Sequence, residues 1–292
     1  MNKKKTAILF VILAASLWGT LGLNVRVLAH FGFSSIQIVL TRFLVSAIFL
    51  GIYLLITDKE KLKAQKSDFK WFMGTGIFSM LFFNTCYTAA VQITSLSVAA
   101  VLLYTSPVFV TLLSIPIFKE KLTVKKAFAM ICSVVGCALV SGILSSKAAA
   151  ISGEGILLGI GAAVGYAFYG IFARILIQRY HSLTILFYTF LLAGIGGLFA
   201  GDSKGIVEIV VNTPMAMVAV VVVSLTCSVI PYILYTTALR QIEVSKVSII
   251  ASIEPVVATL LGVWIFREPL SVNGVAGIAC VLFAIGILNT ES

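Results

Sequence analysis

Charge is what this 292-residue chain has least of: 11% of its residues are charged, against about 25% in a soluble domain. So few polar groups cannot coat a water-soluble surface, and a soluble globular protein is excluded. Histidine is almost missing. The two present, His30 and His181, fall in loops, and no span carries an HExxH pattern, paired carboxylates or a serine-lysine arrangement. No Walker motif occurs either, so the usual signatures of hydrolases and ATPases are lacking. Five cysteines (Cys86, Cys132, Cys137, Cys227 and Cys280) lie inside apolar runs with no CxxC pair. They read as small packing residues, not a disulfide framework or a zinc site. No cofactor or metal is expected.

What the chain has instead is apolar sequence, 60% hydrophobic with a mean hydropathy of +1.11. A hydrocarbon core about 30 Å thick takes roughly 20 apolar residues per helix. Ten such runs follow one another, near 6–25, 36–57, 71–91, 97–118, 127–144, 155–175, 183–200, 215–238, 246–266 and 272–289. The fold class predicted is therefore all-α, a polytopic membrane protein of about ten transmembrane helices whose first partner is the lipid bilayer.

The net charge of +10 invites a nucleic-acid reading, but the placement of the cations removes it. With a cytoplasmic N-terminus, Lys3 to Lys5, the lysines from Lys59 to Lys70 and from Lys119 to Lys126, and Arg174, Arg179, Arg240 and Lys246 lie inside. Only Arg26, Lys147, Lys204 and Arg267 lie outside, sixteen against four. That is the positive-inside asymmetry, and it places both termini in the cytoplasm of a cell membrane. The basic start followed by Ala14-Ala15-Ser16 has the outline of a secretory signal, a reading the internal repeat below removes.

Shifted by 148 residues, the sequence matches itself. From Pro107 to Val124, ten of eighteen positions are identical to their partners, beginning with Pro107-Val108 on Pro255-Val256 and including Glu120 on Glu268. At the same offset Tyr87-Thr88 meets Tyr235-Thr236 and Arg26 meets Arg174. Two five-span repeats result, expected over 6–144 and 154–289. An odd number of crossings inverts the second repeat in the membrane, an architecture that recurs in secondary transporters. The first span is the counterpart of the internal sixth, which cannot be a cleaved signal.

Leu17-Trp18-Gly19, Arg42-Phe43, the stretch Pro107 to Glu120, and Glu254-Pro255 through Glu268-Pro269-Leu270 together resemble the EamA family of the drug/metabolite transporter superfamily, over essentially the whole chain. The resemblance implies a ten-helix exporter or permease whose helices 1, 3, 4, 6, 8 and 9 line a central cavity. The function expected is secondary-active transport, with export of a small polar metabolite such as an amino acid or related compound by alternating access. A channel or membrane scaffold is the alternative, with a membrane-embedded enzyme behind it.

Two ionisable groups stand within the apolar runs, Arg42 and Glu254, where a charge costs about 2.5–3.5 kcal/mol on insertion scales. Their repeat counterparts are Phe190 and Ser106, so each charge is kept in one copy only. Arg42 reads either as a guanidinium aimed at a substrate anion or as a carbonyl-binding packing residue. Glu254 reads either as an ion-coupling site, with protons the candidate ion, or as a carboxylate tied to backbone at the Pro255 kink. Pro107 and Pro255 remove helical hydrogen bonds at matching places and predict kinked helices. Trp18, Asn84, Tyr87, Tyr104, Tyr166, Tyr232 and Tyr235, with Tyr169, supply polar tips on apolar bodies and are the candidate substrate-binding set, each otherwise a packing residue. Gly155, Gly159, Gly161, Gly165 and Gly170 let the sixth span approach its neighbours closely.

Overall fold

In the computed structural model of the chain, residues 3–142, 152–199 and 203–289 are described. Lys147, and the last residues of the expected fifth span and first repeat at 143–144, lie outside them. Among the described residues the secondary structure is helical, without a strand. Seven stretches are long and apolar enough to cross a membrane: Lys3–His30, Ser35–Thr57, Lys66–Ile93, Leu96–Phe118, Gly153–Leu176, Pro214–Ala238 and Val244–Ile265. These are spans 1, 2, 3, 4, 6, 8 and 9. Spans 5, 7 and 10 are the shorter helices Val124–Val140, Ser182–Leu198 and Val272–Asn289, at 17 or 18 residues near the lower limit for a crossing.

The repeat reappears in the backbone. Span 4 consists of Leu96–Leu103 and Ser106–Phe118, and span 9 of Val244–Ala251 and Ile253–Phe266, the first segments being equivalent at both ends under the 148-residue offset. Spans 3 and 8 each contain a π-helical stretch, Gly74–Leu81 and Leu225–Val229, ending at equivalent residues. Lys119 and Arg267, also equivalent, end spans 4 and 9 with φ of 56° and 54°. Symmetry fails in span 1, which breaks at Thr20 while span 6 runs unbroken.

Packing follows small residues, because in lipid helices associate by close contact and not by hydrophobic burial. Spans 5 and 10 cross where a Cβ on Gly136 would stand 2.8 Å from the Gly277 carbonyl. The glycines of span 6 meet Thr94 and Leu102 of the span 3–4 region and Phe83, as their spacing predicts. Between spans 7 and 8, where no element was expected, an amphipathic helix, Ser203–Asn212, lays Ile206, Ile209 and Val210 against Leu28, Phe33 and Ile38.

Candidate functional site

Pro107 and Pro255 do more than kink their helices. A proline is tolerated in a helix's first turn, where its missing N–H has no intrahelical partner, and each stands in the first turn of the second half of a broken span. The turns that interrupt spans 4 and 9 lie at Tyr104-Thr105 and at Ser252. Two half-helix N-termini, one from each repeat, therefore end in the interior, and Glu254 sits in the first turn of one of them. The positive end of a helix dipole favours a carboxylate there.

A small cavity of about 10 Å³ lies at this junction, lined by Tyr104, Ser106 and Pro107 of span 4, Tyr166 of span 6, and Ser248, Ser252 and Glu254 of span 9. Its volume suits a single water. Ser133 of span 5 donates to the Ser252 hydroxyl at 2.6 Å. The hydroxyls of Tyr87, Tyr104, Tyr166 and Tyr232 all lie within electrostatic range of Glu254. Gly19 explains the close approach of span 1: a Cβ there would meet the Glu254 carbonyl at 2.9 Å.

Beside the cavity an aromatic box is built from spans 1, 6, 7 and 8. Trp18 packs on Tyr232 and Tyr235 at centroid distances of 4.8 and 5.3 Å, and Tyr169 and Phe190 meet Tyr232 at 5.1 and 5.5 Å. Tyr169 shares a 2.6 Å hydrogen bond with Thr236. The Trp18 indole N–H is buried without an acceptor among the described residues, an uncommon condition for a buried donor. Arg42, 6% exposed, enters from span 2. Its Nε and Nη2 both donate to Ser228 Oγ at 3.2 Å, and Ser228 belongs to the π-helical stretch of span 8.

Arg42 and Glu254 do not pair with each other, and among the described residues neither has an ion-pair partner. Tyr232 lies within electrostatic range of both, so a buried basic side chain and a half-buried acidic one share one aromatic neighbour. Asn84 is not in this group. It donates to the Met80 carbonyl at 2.7 Å and lines a separate, mostly apolar cavity of about 160 Å³ with Phe43, Thr88 and Gln92. Tyr87 packs beside Phe83 and Tyr166, outside the cavity wall. Sequence reasoning missed Ser228, Ser248, Ser252 and Ser133. Among the described residues no three His, Cys, Asp or Glu side chains cluster closely enough to hold a metal ion.

A cavity opens at each end, and only one of the two shares a wall residue with the central cavity. Tyr104 and Pro255 also line a vestibule of about 310 Å³ that extends to Arg26 and Glu268. Toward the lysine-rich end an opening of about 240 Å³ is bounded by Lys4, Arg174, Glu243 and Lys246. Two five-span repeats, each breaking a helix at a shared buried polar centre that lies between opposed openings, define a membrane transporter of the inverted-repeat type. The sequence profile of the EamA-like transporter family matches residues 5–142 and 153–290, and the chain belongs to that family. It is 29% identical over 273 residues to the uncharacterized transporter YxxF of Bacillus subtilis, covering 89% of this chain and 82% of the relative. An uncharacterized transporter of Haemophilus influenzae is 24% identical over 257 residues, 86% of this chain and 81% of its own. A solved crystal structure superposes with a TM-score of 0.79 at 15% identity, covering 98% of this chain and 99% of that one, a likeness of fold.

Proposed function

We propose that this transporter moves a small zwitterionic metabolite, an amino acid or a related compound, out of the cell by alternating access, with Glu254 coupling the movement to protons. One observation carries the reading: Arg42, buried, and Glu254, half-buried, both stand within electrostatic range of Tyr232, and neither has an ion-pair partner among the described residues. Buried charges are costly unless matched, and a substrate carrying both signs would match both. The carboxylate of the substrate would meet Arg42, with the Trp18 N–H as a further donor. Its ammonium would meet Glu254 and the faces of the surrounding rings. Glu254 binds a proton when no ammonium is present, so that substrate and proton exchange for one another. In this reading the lysine-rich end faces the cytoplasm.

The recognition half of the proposal is tested by thermal stabilisation of purified protein. A ligand at 100 times its dissociation constant adds about 2.7 kcal/mol. Zwitterions should stabilise the protein more than the corresponding amines or acids alone. Stabilisation by neutral sugars, with none from any zwitterion, would overturn it.

A further inference from the structure

The two ends of the molecule are built from equivalent residues that are engaged differently. At the lysine-rich end Glu120, just past span 4, reaches across to the second repeat and caps the start of span 9. Its carboxylate accepts from the Val244 amide at 2.8 Å, the Ser245 amide at 3.4 Å and the Ser245 hydroxyl. Lys126, 1% exposed, stands behind it, 3.8 Å from Glu120 and 2.8 Å from Glu243. Glu243 is the residue at the cap position, yet its own side chain makes no cap. The open amides of that helix start are met by an acid from the other repeat. Nearby Arg174 lies within electrostatic range of Glu120, and its Nη1 is buried without a partner among the described residues.

Part of this set recurs 148 residues away at the opposite end, where Lys126 and Glu243 are replaced by Gly274 and by Ser95, whose hydroxyl accepts from the Val98 amide and leaves the Leu96 and Ser97 amides open. Glu268 is the counterpart of Glu120, Leu96 and Ser97 of Val244 and Ser245, and Arg26 of Arg174. The backbone presents the two acids identically: the Glu120 and Glu268 amides bond to the carbonyls of Ser114 and Gly262, again equivalent residues. Here, however, the acid does not reach the helix. Glu268 is 52% exposed and stands 3.6 Å from Arg26, and together with Leu96 and Ser97 it borders the open vestibule.

We infer that Glu120 and Glu268 are alternating latches, each closing one end of the transporter by capping the first turn of span 9 or span 4 in the other repeat. In the state described, Glu120 is latched and Glu268 rests on Arg26. In the opposite state Glu268 caps Leu96 and Ser97, and Glu120 releases Val244 and Ser245 and rests on Arg174. Each acid exchanges amide donors for a guanidinium, so neither state strands a bare carboxylate and the energy gap between them stays small. The inference rests on the transport reading, because exchange between two closed ends is what alternating access requires.

Ser97 makes the test sharp, since its side chain has no hydrogen bond among the described residues and serves only the state not seen here. In a cysteine-free chain, Ala100→Cys in the vestibule and Ile250→Cys, buried against the cavity at the lysine-rich end, report which end is open through their labelling rates with a small thiol reagent. Glu120→Ala should speed labelling at 250 and slow it at 100, by about tenfold for loss of charge-assisted hydrogen bonds. Ser245→Ala should shift both rates the same way by less, and it serves if Glu120→Ala does not fold. Glu268→Ala and Ser97→Ala should move both rates in the opposite direction. Rates unmoved by Ser97→Ala and Glu268→Ala, or shifted as in Glu120→Ala, overturn the latch. The assay needs no substrate, so the two readings fail separately. Opposed labelling shifts without transport would sink only the transport reading, and transport with unmoved labelling would sink only the latch.

Discussion

Arg42 donates twice to a single serine oxygen, an incomplete set of partners for a group with five N–H donors. Its fork is held in place by Ser228 while charge remains for a ligand. Lysine would keep the charge but lose the planar fork, so Arg42→Lys should reduce transport at least about tenfold at unchanged expression. Full transport with lysine, or with glutamine, measured in whole cells at matched protein levels, would return Arg42 to a packing role. Arg42 and Glu254 stand out in the sequence because each is a charge in an apolar run. Their neighbours Ser228, Ser248 and Ser252 do not: a hydroxyl inside a helix satisfies itself on a backbone carbonyl, as Ser248 does on Ser245, and leaves no pattern. Asn84 illustrates the converse, a polar residue on a central helix whose face turns to another cavity.

The spans themselves were legible to within about five residues at each end, because hydropathy measures the property that membrane insertion selects. What hydropathy cannot carry is local winding. The π-helical stretches of spans 3 and 8 and the break at Thr20 depend on tertiary contacts such as the 2.7 Å Thr189 to Thr75 hydrogen bond. The Ser203–Asn212 helix escaped because its apolar face is short and covers one side only. Glycine packing gives a test of how the elements hold together. At Gly136 an added side chain meets the Gly277 backbone, whereas at Gly286 it meets nothing within 4 Å. Gly136→Val should therefore cost about 1–3 kcal/mol, read as a lower melting temperature in detergent. Gly286→Ala should be neutral or slightly stabilising. Equal melting temperatures for the two variants would contradict the spans 5 and 10 crossing.

For the whole molecule, duplication explains both architecture and asymmetry. Five spans per copy invert the second half, which puts Glu120 and Glu268 at opposite ends and lets one set of contacts serve two gates. The central charges are the exception, each kept in one repeat, and a binding centre on the pseudo-two-fold axis needs only one of each. The lysine asymmetry predicts the orientation. Single cysteines replacing Lys61 and Lys125 in a cysteine-free chain should resist an impermeant thiol reagent in intact cells and react once the cells are opened. Ready labelling of either in intact cells would reverse the orientation.

The claim on which the account turns is that Glu254 joins substrate movement to proton movement, and reconstituted vesicles under an imposed pH gradient measure it most directly. The wild-type protein should accumulate a zwitterionic substrate against its gradient. Glu254→Gln, permanently neutral and nearly isosteric, should lose that accumulation, while substrate-for-substrate exchange, which needs no net proton movement, persists at raised substrate concentration because the amide oxygen still accepts from the ammonium. Gradient-driven accumulation undiminished in Glu254→Gln would contradict the account.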